Sequence, residues 1–221
     1  MKNTLHVLAI DDHVVVLEGY HSIFKSLDIA PFSQLKFIKA SDCKSGYEAI
    51  TNHQMRPFDI AVIDYSIPQF PEKKLHSGED IAMLIRKHMP KCKIIIMTMH
   101  REMDLLSRIL RKVEPEGFVN KSDCTTDELL AGFKKVLNGD VFYSRIIIDY
   151  IKRREQGIML EDIDLRIILL LAKGIKNKNL EKYIPLSASA IEKRKYKIKR
   201  LLEVKGDDED LINVARSQGY I

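Results

Sequence analysis

Five short apolar runs recur along the first part of the chain, at 5–10, 35–40, 58–63, 93–97 and 116–120. Their β-branched content, clearest in Lys93-Ile94-Ile95-Ile96-Met97, suits strands covered on both faces. Between them lie stretches with helical patterning near 14–27, 44–53, 77–88, 101–112 and 126–138. Such βα alternation predicts an α/β domain, a doubly wound parallel sheet of five strands with helices on both faces. Asn138-Gly139 supplies a helix stop after the fifth repeat.

Carboxylates sit where this architecture binds ligands. Asp11 and Asp12 close the first apolar run and Asp64 closes the third, so all three fall at the carboxyl ends of strands, the ligand-binding edge of an open α/β sheet. Three like charges crowded there repel by several kcal/mol at intermediate dielectric. A hard divalent cation with oxygen preference, Mg²⁺ first among them, relieves that repulsion.

The rest of the chain has a different character. Residues 139–157 read as a linker, in which Ile146-Ile147-Ile148 precede Lys152-Arg153-Arg154 and Gly157. From Leu160 onward the pattern is helical throughout. Ile163, Ile167 and Leu170 or Leu171 recur at helical spacing up to Gly174, Leu180 and Ile184 anchor a second helix that Pro185 ends, and Ser187 caps a third bearing Ile191, Ile198 and Leu202 on one face. The net charge of the 221-residue chain is only +5, yet Lys173 to Lys205 carries eleven lysines and arginines against Glu181, Glu192 and Glu203. That asymmetry points to a polyanionic partner.

Together these residues resemble the receiver domain of two-component response regulators. Ile10-Asp11-Asp12-His13-Val14-Val15-Val16-Leu17-Glu18-Gly19 is similar to the opening of the NarL/FixJ branch, and Asp64, with Pro68 four residues on, resembles the phosphoacceptor and its loop. Thr98 closes the fourth strand, and Lys121 follows Gly117-Phe118-Val119-Asn120 after the fifth. The resemblance implies a flavodoxin-like fold in which Asp64 accepts a phosphoryl group. It also implies that Asp12, Asp64 and the backbone carbonyl of Ser66 hold Mg²⁺, with Asp11 acting through water. Lys121 would pair with the phosphoryl oxygens, and Thr98 would donate a hydrogen bond and move inward with Phe118 as a switch. His13 fits a structural or supporting role. Met99, in place of the usual small residue, would narrow access to Asp64, and the loop Gln69 to His76 is longer and more charged than is usual.

The C-terminal part resembles the LuxR-type helix-turn-helix. The residues carrying this are Leu160, Leu169-Leu170-Leu171-Ala172-Lys173-Gly174, Asn177-Lys178, Leu186-Ser187, Ile191, Leu201-Leu202 and Gly219-Tyr220-Ile221. A recognition helix from about Ser189 to Leu202 would turn Lys193, Tyr196, Lys197 and Arg200 away from its apolar face. Lys178 would add a contact from the preceding helix, and Glu192 would accept from a cytosine amino group. Ala190 and Glu192 replace a Thr and a Lys usual in that family, while Asn179 and Glu181 replace Glu and Ala.

The expectation is therefore a receiver over 1–138, a linker over 139–157 and a helix-turn-helix domain over 158–221, acting as a cytoplasmic transcription factor. A sensor histidine kinase and double-stranded promoter DNA would be its partners, a homodimer its active form, with no membrane involvement. The only reaction it would catalyse is that of its own phosphoacceptor. The rival is a signalling adaptor whose helical output binds protein. A third reading, a hydrolase built on the acidic pocket, lacks a separate substrate-binding segment.

Overall fold

The computed structural model describes residues 3–53, 55–155 and 160–221. Strands β1 (Thr4–Ile10), β2 (Gln34–Ala40), β3 (Ile60–Asp64), β4 (Lys93–Thr98) and β5 (Gly117–Asn120) alternate with helices α1 (Val14–Ser26), α2 (Cys43–Asn52), α3 (Gly78–His88), α4 (Met103–Lys112) and α5 (Thr126–Asn138). All strand pairs are parallel, in the order β2-β1-β3-β4-β5 with a further strand beyond β5. β3 and β5 are buried along their whole length and β1 from its second residue, whereas β2, at the sheet edge, exposes Gln34, Lys36 and Lys39. This is the burial that helices on both faces impose on a parallel sheet.

Local chemistry sets the helix ends. Asp42 and Ser45 form a reciprocal capping box at α2, and Thr125 and Glu128 form another at α5, each satisfying amide groups that a helix start leaves open. Gly139 closes α5 at φ 96, a left-handed conformation that glycine adopts without penalty. On one face of the sheet Leu5, Val7, Ala9 and Val62 pack with Phe24 of α1 and Phe133 of α5, whose rings stack 4.8 Å apart.

The segment read as a linker corrects the strand count. Phe142–Tyr143 forms a sixth parallel strand, β6, beside β5, and Arg145–Glu155 forms helix α6. Two residues are too few to show any period, so the pattern of the sequence could not disclose β6. Its place depends on Gly132 in α5, because the Phe142 ring occupies the space a side chain would need there. Gly157, the expected end of the linker, lies outside the described residues, as do positions 158 and 159, where the following domain was expected to begin.

Two compact units result: Met1–His100 with Leu105–Ile148, and Arg101–Asp104 with Asp149–Ile221. In the second, helices α7 (Asp162–Ala172), α8 (Ala188–Leu201) and α9 (Asp208–Ser217) surround Leu165, Ile168, Leu180, Ile184, Ile191, Ile198 and Leu211. The helix expected around Leu180 and Ile184 is instead a 3-10 helix, Asn177–Lys182. The residue before a proline disfavours the helical region, which closes this segment at Ile184. Ser187 caps α8 by accepting from the Ala190 amide. No helix among the described residues is long and apolar enough to cross a membrane.

Gly132→Ala should destabilise the first unit by about 1–3 kcal/mol, the usual cost of overpacking. Urea unfolding of the full chain measures this; an unchanged midpoint would mean that the Phe142 ring swings away without loss.

Candidate functional site

The register Ile10↔Ile63 sets the ends of β1 and β3 side by side, and Asp64↔Met97 and Thr98↔Asn120 continue the line across β4 and β5. The residues closing these strands therefore converge on one edge. Asp11 has no exposed surface and Asp64 is 5% exposed, while Asp12 is open to solvent. Between the two buried acids lies Lys121, its Nζ 2.7 Å from Asp11 Oδ2 and 3.1 Å from Asp64 Oδ1. The Lys121 amide donates to the Thr98 carbonyl at 2.7 Å, which holds the loop after β5 against the end of β4.

Burial raises the Asp64 carboxyl above its ordinary range, although the Lys121 ammonium pulls the other way. Burial likewise opposes the charged form of Lys121, but the hydrogen bond to Asp11 and the charge of Asp64 overcome it and raise its pKa. One ammonium thus contacts two carboxylates with the charge of Asp12 added beside them, and the pocket keeps an excess of negative charge that favours a cation.

His13 sits closer to this chemistry than its sequence position suggests. Its Nδ1 is 2.8 Å from Asp12 Oδ1 and 3.2 Å from Asp11 Oδ1, and its amide donates to Asp11 at 3.0 Å. Asp11, Asp12 and His13 are a group whose ligand atoms lie within 4.8 Å of one another. Asp64 joins Asp11 through Lys121 rather than through that group.

Thr98 and Phe118 are both fully buried. The Thr98 hydroxyl accepts from the His100 amide at 3.0 Å. Ser66, on the loop after β3, meets His100 Nε2 through its hydroxyl at 3.1 Å. Asn120, which the sequence reading passed over, is buried and donates from its amide group to the His100 carbonyl at 2.7 Å. Its signal was available as a polar residue ending a buried apolar strand. Met99 is 62% exposed. The loop 69–76 is ordered by a Phe70↔Leu75 bridge and a single 3-10 turn, with Lys73 5.4 Å from the centre of the Tyr47 ring.

Gly78, the first residue of α3, donates its amide to the Tyr65 carbonyl at 2.9 Å, and a side chain there would collide with the Asp64 backbone. The glycine lets α3 approach the acidic edge closely.

The response regulator receiver domain family matches residues 7–134. The chain belongs to that family. Similarity to known response regulators runs through both units. The oxygen regulatory protein NreC of Staphylococcus carnosus is 24% identical over 218 residues, covering 93% of this chain and 94% of its own. The response regulator UvrY of Escherichia coli K12 is 22% identical, covering 93% and 91%, and the transcriptional regulatory protein MctR of Rhizobium johnstonii is 21% identical, covering 90% and 88%. The fold is similar to that of the two-component response regulator RcsB solved as a DNA complex, with TM-score 0.64, 22% identity and coverage of 97% of this chain and 99% of that one. RcsB of Salmonella typhimurium gives TM-score 0.66 at 21% identity, covering 96% and 99%.

In the second unit, α8 turns Ile191 and Ile198 inward and leaves Glu192, Lys193, Tyr196, Lys197 and Arg200 exposed, Tyr196 by 72%. Lys178 is exposed as well. The basic excess is smaller at the surface than its count suggests. Lys195 is only 4% exposed, with Nζ 2.7 Å from Asp208, 2.9 Å from Asn177 and 3.3 Å from Glu192. Lys199 is 3.0 Å from Asp208, Arg194 binds Asp164 and Glu161, and Lys197 lies 2.8 Å from Glu161. Among the described residues, Lys178, Lys193 and Arg200 form no ion pair.

Burial alone would raise the Asp208 carboxyl, yet hydrogen bonds from Lys195, Asn177 and Lys199 hold it at about 2. A depressed folded pKa means stability that is complete above the ordinary carboxylate value and lost as pH falls towards 2. Asp208→Asn should remove on the order of 1–2 kcal/mol at neutral pH, after allowance for partial solvent screening. Hydrogen exchange in α8 and α9 reads this: the gap between wild type and variant should close on acidification below pH ~4, and a gap constant with pH would contradict the assignment.

Proposed function

We propose that this response regulator is a transcription factor in which phosphorylation of Asp64 controls DNA binding by α8. The observation that carries the reading is the Lys121 ammonium held between buried Asp11 and Asp64, at the edge where a phosphoryl group would arrive. A sensor histidine kinase would supply that group as a phosphohistidine. An Asp64 carboxylate oxygen attacks phosphorus, the P–N bond breaks, the imidazole leaves, and an acyl phosphate remains. The reaction is at the protein's own side chain, so it is stoichiometric rather than a turnover of free substrate.

The residues fit a hard divalent cation, Mg²⁺ in the first instance. Asp11 and Asp64 share one ammonium, and Asp12 is open to solvent where an ion would enter. Asp12, Asp64 and the Ser66 carbonyl would hold it, with Asp11 through water. When bound, the ion neutralises charge on the phosphoryl oxygens and so eases attack by an anionic carboxylate. Lys121, already desolvated, would exchange Asp64 for phosphoryl oxygens, and a compact ammonium suits that role. Thr98 accepts a hydrogen bond through its hydroxyl but keeps a proton to donate. Movement of Thr98 and Phe118 would follow that donation.

The receiver would occupy 1–138 and the DNA-binding domain 158–221. Lys193, Tyr196, Lys197 and Arg200 form the exposed face of α8 and would enter the major groove, with Lys178 on the backbone and Glu192 on a base edge. This cationic face favours DNA over the protein-binding adaptor. RcsB is solved bound to DNA, and as two dimers on parallel DNAs. A homodimer on paired half-sites would place two such helices about one helical turn apart.

Asp64→Asn should abolish hydroxylamine-labile labelling from a phosphodonor, and labelling that persists in the variant would refute the acceptor assignment. Lys193→Ala with Arg200→Ala should weaken DNA binding and lower the slope of log affinity against log salt by roughly two. Unchanged affinity and slope would remove α8 as the DNA-contacting face.

A further inference from the structure

We infer that Ser144 and Asp123 are positioning residues that fasten the start of helix α6 to the strand and loop carrying Phe118 and Lys121, so that the state of Asp64 is transmitted into α6. The inference rests on the phosphoacceptor reading above and adds the route by which that site reaches the following helix.

The attachment is made of directional bonds to the switch segment itself. The Ser144 amide donates to the Phe118 carbonyl at 3.0 Å, and the Ser144 hydroxyl accepts from the Asn120 amide at 3.0 Å. Ser144 is buried, so water cannot replace either bond without opening the structure. One residue beyond Asn120, Lys121 donates its amide to Thr98 and its ammonium to Asp11. Two residues beyond Lys121, Asp123 Oδ2 accepts from the amide of Ile146 in the first turn of α6 at 2.6 Å. That contact suits a carboxylate, since the amides of a helix start are unpaired and the dipole there is positive. Asp123 Oδ1 is buried without a hydrogen-bond partner among the described residues, so the bond to α6 is the compensation found for burying this group.

The strand β6 closes the arrangement from the other side. Phe142 donates its amide to Glu116, Tyr143 donates its hydroxyl to Pro115 at 3.0 Å, and Phe118 pairs with Tyr143 in register. Residues 116–123 are thus bonded at intervals to residues 142–146. A displacement of Lys121 towards a phosphoryl group on Asp64 would have to stretch the Asn120–Ser144 and Asp123–Ile146 bonds or carry α6 along. Coupling of this kind is reciprocal, so a ligand that holds α6 in the displaced position would also favour the phosphorylated receiver.

Hydrogen exchange of the full chain, with and without Mg²⁺ and beryllofluoride, tests this at the amides of Ile146 and Ile147. In the wild type the protection of these amides should differ several-fold between the two conditions. Asp123→Ala and Ser144→Ala should each collapse that difference, while Asp123→Asn, which keeps an acceptor oxygen, should restore most of it. A purely structural role for Asp123 would lower protection equally in both conditions. Acyl phosphate labelling of Asp64 is followed in the same samples with a phosphodonor. If Asp64 labels and the wild-type amides respond identically with and without the mimic, the coupling is wrong and the acceptor reading stands. If Asp64 does not label in the wild type, both fall. A full difference retained in Asp123→Ala and in Ser144→Ala would overturn the positioning roles.

Discussion

The first unit depends on one half-buried ammonium. Without Lys121, Asp11 and Asp64 would be two desolvated carboxylates at the ends of adjacent strands with no cation between them. With it, both keep a partner, and the sheet can present anionic oxygens in a place that water barely reaches. The same ammonium has its backbone fixed to the end of β4 and lies one residue from the buried Asn120. A group that altered the charge of Asp64 would therefore disturb a balance already shared among three strands.

The second unit uses a similar device for a different end. Lys195 lies inside the helical cluster, where Asp208 and Asn177 compensate its charge, and Lys199 adds a second hold on Asp208. Removing Asp208 is costly because the buried Lys195 ammonium is left with less compensation. The network joins α8 to α9 and to the 3-10 helix, and so fixes the face that α8 presents. Specificity of orientation is gained by directing part of the chain's positive charge inward, while Lys178, Lys193 and Arg200 are exposed.

The sequence made the βα order and the converging residues legible for a physical reason. Buried strands must be continuously apolar, and a polar residue closing such a strand stands out against them, as Asp11, Asp64 and Thr98 do. Helix α5 could be bounded from its Gly stop and apolar spacing. What was not legible depends on contacts between distant residues. The strand β6 is two residues long and exists through pairing with β5 and through the absent side chain of Gly132. The 3-10 helix rests on short backbone bonds, Asn179 to Lys176 and Tyr183 to Leu180, which apolar spacing does not disclose. The role of Lys195 could not be separated from those of its basic neighbours until Asp208 and Asn177 were placed beside it. His13 drew little weight from the sequence, although its ring meets both adjoining carboxylates.

The central claim is that the acidic edge of the sheet governs the cationic face of α8. The measurement that tests it most directly is selection of genomic DNA fragments by the full chain, with and without Mg²⁺ and beryllofluoride as a phosphoryl mimic. The account predicts enrichment of particular fragments only when the mimic is present. Equal enrichment in both conditions, or no specific enrichment in either, would contradict it.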